Sequence, residues 1–487
     1  MYNITFFLFL IQDIVFFSIV INIAGLYNFH NVDSMHFDER EDIMAKSRQI
    51  IQIQEKVPLS KGIPLSIQHT FAMFSASVLV PYILGISPSI ALLMNGIGTL
   101  IFIFVTKGGA PAYLGSSFAF ISPALIVISQ PGLGYRYALG GFVVTGLLMC
   151  LIAILIKFVG TRWIDAILPP AAMGPIVALI GLELAGSAAQ TAGILDSSGA
   201  MVDDLDPRVL AVFLVTLLLA VFGGVLYRGF ASAIAILIAI MVGYVLALVL
   251  GLVDFSSVGS ARLFELPAFQ TPQWSAQAIA IIIPATLVVV SEHIGHQVVT
   301  SEVVGKDLLK DPGLHRSMFA DGFSTALSGF CGSCPTTTYG ENIGVMAITK
   351  VYSVWVIGGA AAFSILLSFI GKASALIQTI PGPVMGGVSF LLYGMIGASG
   401  IRLMVDAKID YSKASNLAMT SVVFVVGLSG IAINLGQVQL KGMSLAAVVG
   451  MLLGLIMYLL DKFRLTNEYE EEVDEDQEIL KTFASTR

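Results

Sequence analysis

The chain has 487 residues, of which 12% are charged and 56% hydrophobic, with 48 glycines. A soluble protein carries about 25% charged residues, and a soluble fold of this length could not hide so much apolar surface, so part of its solvent must be lipid. This excludes a soluble enzyme, a nucleic-acid binder and a secreted disulfide scaffold. The net charge of −7 belongs to the tail, where 467–478 holds eight acids; without them the rest of the chain carries +1.

Residues 4–25 are mostly apolar, with Gln12, Asp13 and Asn22 among the exceptions, and no Lys or Arg precedes Arg40. A secretory signal needs a positive leading region, so that reading fails. Two readings stay open. Either this is an extra helix that begins on the outer side, or translation starts at Met44, just after codons for Glu39–Ile43 that can form a purine-rich ribosome-binding stretch. Residues 1–57 are therefore set apart as an N-terminal extension.

From Ile63 to Leu460 the pattern predicts about fourteen membrane crossings. Uncharged runs at 229–253, 351–371 and 442–460 are bracketed by charged residues and match the roughly 20 apolar residues that span a bilayer. If the first crossing leaves the cytoplasm after Lys61, only Arg136, Arg208, Arg262, Lys372 and Lys441 of the 25 Lys and Arg fall outside. That excess of positive charge on one side places both ends of the region in the cytoplasm. The acidic tail, 462–487, follows the last crossing.

Two segments echo across the halves. Leu168-Pro-Pro-Ala-Ala-Met-Gly174 recurs as Ile380-Pro-Gly-Pro-Val-Met-Gly386, and Pro111-Ala-Tyr-Leu-Gly-Ser-Ser117 is answered by Pro335-Thr-Thr-Thr-Tyr-Gly-Glu-Asn342. Seven crossings per half would place the second copy upside down, the inverted repeat common in secondary transporters.

Ionisable residues within such spans are functional candidates because their burial in lipid is costly. Glu292 and His296 are four apart and share a helix face, so they can hydrogen-bond; His293 lies off that line. In the second cluster, Pro335 and three threonines favour extended backbone. Gly340 then allows tight access to a helix that begins with Glu341 and Asn342. Such a helix start points free N–H groups at whatever precedes it, and broken backbone in a membrane is tolerated only where it is buried or lines a cavity. Gly115-Ser116-Ser117-Phe118 has the same character, which suggests two half-helices facing each other across a small polar ligand.

Other candidates are weaker. His69, with Gln68 in the first helix, reads as a packing residue, and Asp321 lies where it could brace the cluster; Asn95 and Glu183 are further polar residues in the spans. Glu292-His-Ile-Gly-His296 is not the zinc-protease pattern, which places the Glu between histidines four apart, so no metal site is expected. Cys331 and Cys334 form a lone CxxC in an apolar stretch and read as packing residues.

These residues resemble the nucleobase–ascorbate transporter family, the xanthine/uracil permeases, and within it the bacterial uracil:proton symporters. The signature is Gln/Glu/Pro-Asn-x-Gly, four residues, then Thr-Arg/Lys, and Glu341-Asn-Ile-Gly344-Val-Met-Ala-Ile-Thr349-Lys350 fits throughout. The likeness runs from about Pro58 to Lys462 and includes Ile63–His69, Pro111–Phe120 and Asp311–Phe319. It implies an all-α polytopic membrane protein with fourteen segments in a 7+7 inverted repeat and two half-helices preceded by short strands. A core domain would comprise 58–162 and 272–374, and a gate domain 163–255 and 375–461.

By motif position, the resemblance implies that Glu292 and Glu341 bind substrate and Phe118 stacks on it. Gly340 would offer backbone contact, Tyr393 would lie on the gate side, and His296 would join Glu292 in proton coupling. Tyr339, Asn342, Asp321 and His69 would support them. Glu at the first signature position resembles the uracil type, whereas purine carriers commonly have Gln, so a xanthine or uric acid carrier is the alternative. The competing class is a membrane enzyme using Glu292, His293 and His296 as metal or acid/base groups. Cys334 departs from the small, less reactive residue usual there. No cofactor is implied beyond the coupling proton; the expected partners are uracil, lipid and a second copy in a homodimer, and the expected location is the cytoplasmic membrane.

Overall fold

The computed structural model describes residues 50–466 apart from Ser197, Gly436 and Gln437. The open readings of the N-terminus and the acidic run after Asn467 lie outside the described residues. Among the described residues, fourteen segments follow one another. The first half comprises α1 (Leu59–Ile83), α2 (Pro88–Val105), α3 (Phe118–Ser129), α4 (Tyr135–Val159), α5 (Pro170–Thr191), α6 (Pro207–Leu226) and α7 (Ala235–Val249). The second comprises α8 (Ala276–Val304), α9 (Leu314–Cys331), α10 (Gly340–Thr349), α11 (Val354–Ser368), α12 (Gly382–Asp406), α13 (Ala414–Leu428) and α14 (Gly442–Lys462). Among the described residues, 8 of these helices are long and apolar enough to cross a membrane alone.

Helix starts are written in the sequence. Ser87 caps α2 by accepting from the Ser89 N–H, with Pro88 in the first turn, where a missing N–H costs nothing. Asp206 and Pro207 repeat that arrangement at α6. The two echoing Pro motifs open α5 and α12, after Pro169 and Pro381.

The packing repeats itself in the way an inverted repeat demands. α4 lies along α9, and α2 along α11; because α2 corresponds to α9 and α4 to α11, this is one contact made twice. The α6–α7 and α13–α14 pairs match, as do α6–α12 and α13–α5, while α5 packs on its own counterpart α12. Small residues permit the closest approaches. A Cβ on Gly146 of α4 would collide with the backbone of Gly322 and Ala326 on α9, the close backbone contact that drives helix association in lipid.

α3 and α10 do not cross by themselves. α10 has 10 residues, about 15 Å of helix and half a bilayer. Each follows a short strand, β1 (Leu114–Ser116) and β2 (Thr336–Thr338). These strands pair antiparallel, Leu114 with Thr338, Gly115 with Thr337 and Ser116 with Thr336. Ser117 N–H to the Pro335 carbonyl (2.9 Å) and Tyr339 N–H to the Tyr113 carbonyl (3.1 Å) extend the ladder. Threonines on the flanking helices satisfy its outer edges. Thr99 of α2 accepts from Leu114 N–H at 2.9 Å, and Thr325 of α9 donates to the Thr336 carbonyl at 2.7 Å.

Two features were not foreseen. Ala432–Leu435 (β3) and Val438–Lys441 (β4) form a hairpin ahead of α14; their alternating residues around a glycine are its sequence signal. Residues 50–55 also attach to the α10–α11 connection, with Ile51 N–H on the Lys350 carbonyl and Tyr352 N–H on Ile51.

Gly115 admits the Tyr339 ring, with which a Cβ would collide, whereas Gly186 in α5 has open space around it. Gly115→Ala should therefore cost about 1–3 kcal/mol through overpacking, seen as a lower melting temperature in detergent. Gly186→Ala should leave it unchanged or slightly raised.

Candidate functional site

Glu292 sits well inside α8, which continues to Val304, about three more turns. It is not a helix-end residue in water. Glu292, His296, Gly340 and Glu341 are half-buried among buried neighbours, so they face partly open space. The His296 ring stands over the start of α10, its Nε2 3.1 Å from where a Cβ on Gly340 would lie. A side chain at position 340 would press on that imidazole, and glycine leaves it in place.

Glu341 is in the first turn of α10, and Tyr339 makes no side-chain cap there. Free N–H groups and the partial positive end of the helix are therefore available beside a carboxylate. Glu292 lies within electrostatic reach of both Asp321 and Glu341. Across from them, α8 packs against the Phe118–Phe120 turn. Phe118 meets Tyr393 of α12 edge-to-face, with ring centroids 6.5 Å apart and planes at 81°.

The spacing of Glu292 and His296 suggested a hydrogen bond between them. Instead, His296 Nδ1 lies 3.1 Å from Thr338 Oγ1, a β2 hydroxyl. A histidine–carboxylate contact is made by His293, from Nδ1 to Asp321 Oδ2 at 2.6 Å, with both side chains fully buried. Asp321 thus braces α8 through His293, which lies off the line joining Glu292 and His296. Three residues apart, the two histidines are turned about 60° from each other around the helix, and it is His296 that lies against α10.

The remaining candidates join elements together. His69 Nδ1 lies 3.4 Å from Asn342 Oδ1, linking α1 to α10. The Tyr339 hydroxyl donates to the Ser116 carbonyl at 3.0 Å and so ties β2 to β1. Cys334 is buried and Cys331 half-buried, both as free thiols. Glu183, in the second half of α5, accepts from Ser122 Oγ of α3 at 2.8 Å and from the Met443 N–H of α14 at 2.9 Å.

The xanthine/uracil permease model, described as a permease family, matches residues 60–436. The chain belongs to this family. It is 59% identical over 420 residues to a protein of Paenibacillus larvae named uracil permease, covering 86% of this chain and 99% of that protein. It is 56% identical over 418 residues to the uracil permease of Escherichia coli K12, covering 86% of this chain and 96% of that one. Among solved structures, the murine anion transporter Slc26a9 in its inward-facing state aligns with a TM-score of 0.65 at 10% identity, over 84% of this chain and 69% of that one. That likeness concerns the fold, the 7+7 inverted repeat. The chain is accordingly a multi-pass transporter of the cell membrane and not an enzyme.

Within this permease, Tyr339 works as a strut between the strands. Tyr339→Phe should lower stability by about 0.5–1.5 kcal/mol, the worth of one hydrogen bond, in thermal unfolding of the purified protein.

Proposed function

We propose that the protein takes up uracil with a proton across the cytoplasmic membrane by alternating access. The observation that carries this reading is the meeting of two half-helix starts, through paired strands, beside the carboxyls of Glu292 and Glu341. The relatives named uracil permease, identical at more than half of the aligned positions, support uracil as the substrate.

Uracil is a planar neutral ring with two N–H donors and two carbonyl acceptors. Glu292 and Glu341 accept from its N–H groups, the N–H of Gly340 and the free α10 start serve a carbonyl, and Phe118 covers one face with Tyr393 behind it. A ligand lacking those groups leaves buried polar atoms unpaired at a cost of several kcal/mol, which makes the site selective.

A neutral ligand gives the membrane potential no handle, so uphill uptake needs a coupled ion. Two carboxyls close together in a low dielectric do not readily both ionise. In this reading Glu292 carries the transported proton with His296, and Glu341 orients the substrate. Segments α1–α4 and α8–α11 form the core that moves against a gate of α5–α7 and α12–α14, with both ends of the transporter region in the cytoplasm.

In proteoliposomes with an imposed pH gradient, Glu292→Gln should abolish proton-driven accumulation of labelled uracil. Accumulation at the wild-type level would overturn the assignment. Glu341→Gln should weaken uracil binding by about 10- to 100-fold, the loss of hydrogen bonding to a charged group. His296→Leu should impair coupled uptake more than equilibrium exchange; equal loss of both would remove it from coupling. Unlabelled xanthine or uric acid should compete poorly with uracil, and strong competition would favour the purine reading.

A further inference from the structure

We infer that Asp321, His293 and Thr338 form a fixed brace that sets the tautomer of His296, so that its proton sits on Nε2, the nitrogen turned toward the start of α10. The inference deepens the proton-coupling reading and rests on it for its functional consequence.

His293 adjoins Glu292 in sequence but is turned about 100° around the helix axis, toward α9. Both of its ring nitrogens are engaged, Nδ1 with Asp321 Oδ2 at 2.6 Å and Nε2 with Ser317 Oγ at 3.0 Å. Phe102 of α2 stands edge-on to the same ring, at 6.4 Å between centroids. The imidazole is held on three sides.

Thr338 Oγ1 lies between the two histidines, 3.4 Å from His293 Nδ1 and 3.1 Å from His296 Nδ1. The Asp321 carboxylate, nearer by far, takes the hydrogen bond of the His293 Nδ1–H. The Thr338 hydroxyl proton is then available to His296 Nδ1, 3.1 Å away, and in the inferred arrangement this nitrogen accepts it. A neutral imidazole whose Nδ1 accepts carries its own proton on Nε2, and that nitrogen faces Gly340. The titratable groups around the pair are Glu292 on α8, Asp321 on α9, Glu341 on α10 and Cys150 on α4, whose thiol lies 3.7 Å from the Phe319 carbonyl. Thr338 is therefore a positioning residue that acts through His296.

The test uses the full chain with 15N-labelled histidine in lipid, without uracil, followed by uptake at graded pH. Wild-type His296 should show a protonated Nε2 and a bare, hydrogen-bonded Nδ1. A protonated Nδ1 in the wild type would overturn the inference even if no variant folds. Thr338→Val, which keeps the shape and drops the hydroxyl, should mix the two tautomers, displace the pH profile of gradient-driven uptake and reduce it about fivefold, the ratio for one lost hydrogen bond. Thr338→Ser should restore both readouts. A Thr338→Val protein with the wild-type spectrum and pH profile would contradict the brace. Failure of the wild type to exchange uracil would instead strike the transport reading and leave the tautomer measurement standing.

Discussion

Backbone N–H and C=O groups inside a bilayer must find partners within the protein, and at β1 and β2 this constraint falls on two stretches of chain from opposite halves. Each strand is three residues long and could not persist alone. Pairing Leu114–Ser116 with Thr336–Thr338 satisfies both at once, and the Thr99 and Thr325 hydroxyls close the outer edges. Because α3 and α10 begin where these strands end, the pairing also fixes where two helix N-termini lie. The arrangement places unpaired N–H groups, Glu341 and Phe118 in the interior of the protein.

The same constraint organises the polar side chains around the strands. Thr338 is a β2 residue in the ladder, yet its hydroxyl reaches α8, so the backbone pairing also positions a histidine. Gly115 and Gly340 serve two close approaches, the first to the Tyr339 ring and the second to the His296 ring. Helices α4 and α9, joined through Gly146 and Gly322, hold Asp321 at the depth where it meets His293. Packing, strand register and side-chain orientation are thus linked, and a change in one is felt at the others.

Much of this was legible in the sequence for identifiable reasons. Charges bracketing apolar runs mark the crossings, and the Pro-rich echoes at 168–174 and 380–386 mark equivalent helix starts in the two halves. Pro335 and three threonines announce a strand, and its echo at 111–117 names the partner. Spacing along one helix was a poorer guide. It linked His296 to Glu292, but β2, folded against α8 from 42 residues away, supplies the actual partner of Nδ1. His293–Asp321 and Glu183–Met443 are likewise tertiary contacts, made across 28 and 260 residues, and no local period reveals them. The threonine run speaks for extended backbone, and nothing local in it marks the contact of the Thr338 hydroxyl with His296.

The central claim is that a neutral ring moves together with a proton through the Glu292–His296 side of this site. The most direct test reconstitutes the protein in liposomes holding a pH-sensitive dye, with no gradient imposed, and adds uracil outside. The account predicts that the lumen acidifies as uracil enters and that Glu292→Gln abolishes the signal. Uracil entry with no change in lumenal pH would contradict it.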